Sequence, residues 1–108
     1  MVVGDIETGT ELLVIGGGPA GYAAAIRAAQ NDTDVTLIEK EDVGGTCLNR
    51  GCIPAKALIH AAGFQKNIEH WDSIGIHNKG LEVDFSEVQD WKKDIVEKLN
   101  TGVKNKLE

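Results

Sequence analysis

Glu11-Leu12-Leu13-Val14-Ile15-Gly16-Gly17-Gly18-Pro19-Ala20-Gly21 runs from an apolar block directly into a glycine loop, and an alanine-rich stretch to about Asn31 follows it. The apolar block reads as a short buried strand and the alanine-rich stretch as a helix. Asn31-Asp32-Thr33-Asp34 has turn chemistry, and Val35-Thr36-Leu37-Ile38-Glu39 reads as a second strand. Strand, helix and strand in that order predict parallel neighbours joined by a helical crossover.

The loop between strand and helix carries Gly16-x-Gly18-x-x-Gly21, the spacing of a dinucleotide fingerprint. In that reading Gly16 makes the tight turn, Gly18 lets a pyrophosphate approach the backbone, and Gly21 lets helix and strand pack closely. Pro19 and Ala20 open the helix, whose N-terminus offers free N–H groups and a positive dipole end to phosphates. Glu39 ends the second strand 18 positions after Gly21. There a carboxylate can accept hydrogen bonds from a ribose diol, and it would repel a 2′-phosphate. The glycines alone also fit a tight strand-to-helix turn without a ligand; strand, helix and acid in register favour dinucleotide binding.

Farther out, Gly44-Gly45-Thr46-Cys47-Leu48-Asn49-Arg50-Gly51-Cys52-Ile53-Pro54-Ala55-Lys56 places the two cysteines of the chain five residues apart. A redox disulfide is the economical explanation. In an undistorted helix residues i and i+5 have Cα atoms roughly 8.6 Å apart, whereas bridged cysteines need about 4.4 to 6.8 Å. Gly51 can take up the required bend, and Pro54 tends to kink the segment. Closing so short a loop adds little chain-entropy stabilisation, which points towards chemistry rather than stapling. A structural zinc site lacks ligands, because His60, His70 and His77 are not at finger spacing from the cysteines. An iron–sulfur reading lacks its third and fourth thiolates. Spacing alone leaves open two unconnected core cysteines.

The glycine pattern does not choose between NAD and FAD; the cysteines do. A disulfide 26 residues past Gly21 would lie farther along the same cofactor. Disulfides exchange electrons with a flavin through thiolate attack on its ring, while nicotinamide reacts by hydride transfer.

The bulk chemistry of the 108 residues is that of one small globular domain or a piece of a larger one: 42% hydrophobic, 26% charged, net charge −6. That charge offers no electrostatic reason to expect nucleic acid or an anionic membrane as partner. The start, Met1-Val2-Val3-Gly4-Asp5-Ile6-Glu7, lacks the basic and long apolar regions of an export signal, and no run approaches the roughly 20 residues that span a bilayer. A cytoplasmic location is the expectation, and in that reducing compartment a close cysteine pair favours catalysis over structure.

The remaining elements are a helix from about Thr46 to Glu69, bent near Pro54, a loop containing Gly75 and Gly80, and a short extended piece over Leu81-Glu82-Val83-Asp84-Phe85. Ser86 with Gln89 fits a capping box, and Val88, Trp91, Ile95, Leu99, Val103 and Leu107 form one apolar stripe. A helix from Ser86 to about Lys106 is predicted, its stripe a packing surface, with Asp94 and Lys98 as an ion pair on its wet side. No repeat, low-complexity stretch or interdomain linker is visible.

With both motifs in place, the sequence resembles the pyridine nucleotide-disulfide oxidoreductases, the class that includes dihydrolipoamide dehydrogenase, glutathione reductase and mercuric reductase. The run from Gly44 to Pro54 is similar to their complete active-site signature. Leu48, the Ala55-Lys56-Ala57-Leu58 continuation, Trp91-Lys92 and Leu99-Asn100-Thr101-Gly102-Val103 resemble the dihydrolipoamide dehydrogenase branch, with Ala55 departing from the serine usual there. The resemblance implies an α/β fold: a partial Rossmann-like FAD-binding domain made of two parallel strands, a glycine-loop helix, a redox-disulfide helix and a long C-terminal helix. Residues 1–108 would then be the N-terminal part of an FAD-binding domain, without the NAD-binding and dimer-interface domains of such enzymes. It also implies roles. Cys47 would be the interchange thiol and Cys52 the thiolate against the flavin, with Lys56 near the flavin ring and a buried carboxylate. Gly16, Gly18, Pro19, Ala20, Gly21, Glu39, Lys40, Gly45 and Thr46 would hold FAD; Lys40 reads equally as a solvent-facing lysine. His60 reads as a surface or packing residue.

The expected activity is oxidation of dihydrolipoyl groups, with electrons passing through Cys47 and Cys52 to FAD and then NAD. The implied partners are lipoyl domains of 2-oxoacid dehydrogenase or glycine cleavage complexes, the remainder of the fold and a homodimer partner. The alternatives are another reductase of the class, mercuric or glutathione-like, and a non-catalytic small subunit docking to a second polypeptide. The isolated segment is expected to bind FAD weakly and to lack turnover.

Overall fold

In the computed structural model residues 9–108 are described; residues 1–8, on which the export-signal reading rests, lie outside them. Strands β1 (Leu12–Ile15) and β2 (Val35–Ile38) pair in parallel as expected, with Leu12 opposite Val35 and Ile15 opposite Ile38. Parallel pairing needs a crossover, and helix α1 (Pro19–Ala29) supplies it. The return turn puts Asp32 at φ 59°, a conformation Asp tolerates better than bulky residues. The amides of Glu11 and Leu12 then donate to the Asp34 carbonyl at 3.1 and 3.0 Å, which sets the register from the first residue of the ladder.

The cysteine segment is not one bent helix. It forms helix α2 (Gly45–Asn49) and helix α3 (Cys52–Trp71), separated at Arg50 and Gly51. The break falls at Gly51, with φ −125° and ψ −102°, and not at Pro54. Pro54 occupies the first turn of α3, where an amide would have no acceptor within the helix, so its missing N–H removes no bond there. The first bond of that helix runs from the Ala55 amide to the Gly51 carbonyl at 3.0 Å.

A 3₁₀ turn (Asp72–Ile74) ends α3, and residues 81–84 pair with no strand; the expected extended piece has no partner, and Phe85 already belongs to helix α4 (Phe85–Leu107). The cap of α4 is Asp84 rather than Ser86. Its Oδ1 accepts from the amides of Ser86 at 2.8 Å and Glu87 at 3.2 Å. A carboxylate at this end satisfies two orphan amides and complements the helix dipole.

Helix α4 packs on α3, α1 and α2. Val88, Ile95, Val103 and Leu107 of the expected stripe are half-buried, but Trp91 and Leu99 stay 41% and 44% exposed. Lys92, Val96 and Asn100 take their place on the contact face, because docking on several elements rolls the helix away from its most apolar line. The ion pair of this helix joins Asp90 and Lys93 at 3.1 Å, one turn earlier than Asp94 and Lys98.

Among the described residues the buried apolar side chains are Ala25, Leu48 and Ala57. The first strand is therefore not buried as its composition suggests: Leu13 is 49% and Ile15 80% exposed. A pair of strands offers few neighbours to cover such side chains. No helix among the described residues is long and apolar enough to cross a membrane.

The cap assignment separates two substitutions. Asp84→Ala is expected to lower stability by about 1 kcal/mol and Ser86→Ala by less than about 0.5 kcal/mol, read from urea unfolding followed by circular dichroism.

Candidate functional site

The site begins where β1 ends. The Gly16 amide donates to the Ile38 carbonyl at 2.7 Å, extending the ladder by one bond, and Gly16 then turns at φ 101°. Helix α1 starts so close behind that a Cβ on Gly21 would stand 1.7 Å from the Gly16 carbonyl oxygen. No side chain caps α1, and Pro19 has no N–H. The amides of Gly18, Ala20 and Gly21 precede the first helical bond, which runs from Tyr22 to Gly18 at 2.9 Å. They are left to an external acceptor at the positive end of the helix. A Cβ built on Gly16 or Gly18 meets nothing within 4 Å, so the outer side of the loop is open to a close-approaching group. These features fit a bound pyrophosphate.

Glu39 closes the loop from the other strand. Its Oε2 accepts from the Gly17 amide at 2.7 Å and its Oε1 from the Glu41 amide at 2.9 Å. These backbone donors, that of Glu41 first, hold its carboxyl below its usual value near 4.5. Glu39 also lines a cavity of about 430 Å³ together with Gly16, Lys40, Gly45 and Thr46, over Ile15 and Ile38. Five residues expected from sequence to hold a dinucleotide thus share one concavity. Lys40 is 87% exposed there and 3.9 Å from the Glu41 carboxylate, a solvated pair of little energetic weight.

The cysteine segment sits directly on the glycine loop. The Gly44 amide donates to the Gly17 carbonyl at 2.7 Å, and a Cβ on Gly45 would lie 2.8 Å from the Gly18 Cα. Arg50 reaches back to pair with Glu41. Cys47, half-buried in α2, is joined by a disulfide to Cys52, the exposed first residue of α3. Their Cα atoms are 4.6 Å apart, inside the bridging range and far below the separation of a continuous helix. The break at Gly51 makes the bond possible. The open possibility of two unconnected core cysteines is thereby removed.

Lys56 is exposed one turn after Cys52, on the same side of α3. Among the described residues no carboxylate lies within ion-pair distance of it. His60, expected as a surface or packing residue, is exposed and makes ring contacts: it meets Phe64 edge-on at 4.8 Å and stacks on Trp91 at 6.3 Å between ring centroids, joining α3 to α4. Two residues given no role from sequence also belong to the site. Asn49 donates through Nδ2 to the carbonyls of Val43 at 3.1 Å and Gly45 at 3.0 Å, and Asn100 of α4 donates to the Val43 carbonyl at 2.6 Å. The signal for Asn100 lay in its place: it follows Lys92 and Val96 at four-residue spacing on the contact face.

A glycine loop opening a helix, an acid at the end of the next strand and a disulfide seated on that loop thus meet in one place. Residues 10–108 match the family of pyridine nucleotide-disulphide oxidoreductases, and the chain belongs to it. It is 58% identical to the dihydrolipoyl dehydrogenase of Haloferax volcanii over 103 residues, which is 95% of this chain and 22% of that protein. It is 54% identical to the Bacillus subtilis dihydrolipoyl dehydrogenase, again over 95% of this chain and 22% of the relative. The chain therefore spans about a fifth of the length of these relatives. Among solved structures it resembles the Cu(II) complex of the HOCl-induced flavoprotein disulfide reductase RclA from Escherichia coli, with TM-score 0.69 and 30% identity over 90% of this chain and 19% of that one.

The Glu39 environment has a consequence for acid stability. A carboxyl lowered in the fold binds fewer protons than in the unfolded chain, so its stabilisation is present above about pH 4.5 and is lost as pH falls through the lower folded value. The urea midpoint should fall between pH 6 and pH 3, and Glu39→Gln should flatten that fall.

Proposed function

We propose that residues 1–108 form the N-terminal part of the FAD-binding domain of a dihydrolipoyl dehydrogenase-type oxidoreductase, in which Cys47 and Cys52 take electrons from dihydrolipoyl groups. The observation that carries this reading is the Cys47–Cys52 disulfide seated on the phosphate loop through the Gly44 to Gly17 hydrogen bond. The similarity to dihydrolipoyl dehydrogenases over 95% of the chain supports the choice of branch. The proposal includes FAD as the resident cofactor, NAD as the acceptor in the whole protein, and a homodimer. Its partners are lipoyl domains of 2-oxoacid dehydrogenase or glycine cleavage complexes, and its location is cytoplasmic.

The residues divide the work. Gly18, Ala20 and Gly21 present amides to the pyrophosphate, and Gly16 leaves it room. Glu39, already an acceptor for two amides, offers its remaining lone pairs to the ribose hydroxyls. Gly45, Thr46 and Lys40 complete the cavity wall, and Lys56 brings positive charge to the side of α3 that carries Cys52. One dihydrolipoyl thiolate attacks the Cys47 sulfur, the Cys47–Cys52 bond breaks, and Cys52 leaves as thiolate. The second lipoyl thiol, losing its proton, displaces the Cys47 sulfur from the mixed disulfide. The lipoyl ring leaves oxidised, and two electrons remain on the Cys47 and Cys52 pair. FAD, when bound, would supply an electron-accepting ring for this pair, with NAD as the final acceptor in the whole protein. Each attack needs a thiolate, and the placed histidine contacts lie elsewhere: His60 meets Phe64 and Trp91, and His77 pairs with Asp72.

Two measurements test the reading. In the full-length enzyme Cys47→Ser should lower dihydrolipoamide-dependent NADH formation roughly 10³-fold or more while FAD absorbance is retained. The 108-residue chain alone should show no turnover and only weak flavin binding; robust activity of the isolated chain would overturn the proposal. Oxidised glutathione or Hg(II) as a better substrate than lipoamide would assign another member of the family.

A further inference from the structure

Asn100 and Asn49 are 51 positions apart in the chain, yet Asn100 Nδ2 donates to Asn49 Oδ1 at 2.9 Å and to the Val43 carbonyl at 2.6 Å. An amide nitrogen carries two hydrogens, so this contact uses both donors of Asn100. Asn49 in turn spends its own Nδ2 on the carbonyls of Val43 and Gly45. Both side chains are half-buried. The segment held in this way, residues 43–49, contains Gly44 and Gly45, which seat on the phosphate loop, and Cys47, one half of the disulfide. Cys52 is held differently, by α3, across the break at Arg50 and Gly51.

We propose that Asn100 is a positioning residue for the Cys47–Cys52 couple: by clamping Asn49 and the Val43 carbonyl, it fixes α2 against the start of α3 and favours the closed disulfide over the open dithiol. This rests on the redox reading of the pair given above. Once the bond is reduced, the sulfurs are tethered only by the Arg50–Gly51 link, and their effective concentration depends on how firmly α2 is held. That concentration sets the thiol–disulfide equilibrium of the pair. Asp at position 100 matches Asn in size but has no donor when ionised, so it would set its carboxylate against the Val43 carbonyl and Asn49 Oδ1 with nothing to give either.

The test is equilibration of the full-length protein at pH 7 in buffers of reduced and oxidised dithiothreitol, with free thiols counted by alkylation and mass spectrometry. In each exchange the Cys47–Cys52 bond opens to two thiols while the two thiols of dithiothreitol close to its cyclic disulfide, so two electrons and two protons are conserved. Asn100→Asp should be half-reduced at a ratio of reduced to oxidised dithiothreitol about tenfold lower than the native protein, a shift of about 30 mV. Val96→Ala, on the same face of α4 but outside the network, should lower the unfolding midpoint without moving that ratio. Asn100→Ala carries the same expectation as Asn100→Asp if the latter fails to fold. An unmoved ratio in the Asn100 variant that folds, or an equal shift in Val96→Ala, overturns the proposal. A native pair that does not cycle with dithiothreitol refutes the redox reading itself, and this proposal with it.

Discussion

The backbone of Gly17 joins the three parts of the site. Its N–H is taken by Glu39 at the end of β2, and its carbonyl accepts the Gly44 amide that opens the cysteine segment. Both contacts are 2.7 Å long. Three stretches far apart in sequence, the glycine loop, the acidic strand end and the disulfide segment, therefore meet at one residue. The approach also depends on what is missing: Gly45 comes close enough to Gly18 that a Cβ would have to displace backbone. A side chain there would push the disulfide segment away from the glycine loop.

From that junction the geometry of the disulfide follows. With Gly45 seated, α2 can run only as far as Asn49 before the chain must turn back, and Gly51 makes the turn with a backbone angle no helix contains. Cys52 then starts a new helix with its Cα 4.6 Å from that of Cys47. Proline at position 54 belongs to the new helix's first turn and sharpens its start instead of bending an older one. Gly51 is itself tight against the Thr46 carbonyl oxygen, at 3.1 Å from an added Cβ, so the break accommodates little else.

These arrangements show which parts of the molecule local sequence could express. The fingerprint glycines, the two strands and the cysteine spacing were legible because each describes contacts between residues close in the chain or repeats a fixed period. The end of α4 facing Asp84 was misread because Ser86 and Asp84 both suit a cap, and only the backbone shows which one the helix follows. The face of α4 was misread by about one residue for a tertiary reason: α4 docks on α1 and α2 as well as α3, and that contact prefers Asn100 to Leu99. Asn100 had no visible role because its partners, Val43 and Asn49, lie more than 50 positions away. The burial of β1 failed on the same ground, since an apolar strand is buried only when other elements cover it.

The small number of buried side chains sharpens the physical picture of how the site is held. Ala25, Leu48 and Ala57 cannot fix a constellation spread over two strands and three helices by packing alone. What holds it is directional: the Gly16, Gly17 and Gly44 amides, the two carboxylate oxygens of Glu39, and the asparagine clamp each fix an angle as well as a distance. Exposed apolar side chains are spread over the strand pair, α3, the loop after it and α4, and two of them meet at the candidate site. Ile15 and Ile38, exposed at the C-terminal ends of the parallel strands, form the floor of the Glu39 cavity. In open parallel sheets that end is where ligands bind, because the glycine turn and helix N-terminus converge there. The same exposed isoleucines that leave the strand pair poorly covered thus line the cavity beside the Glu39 carboxylate.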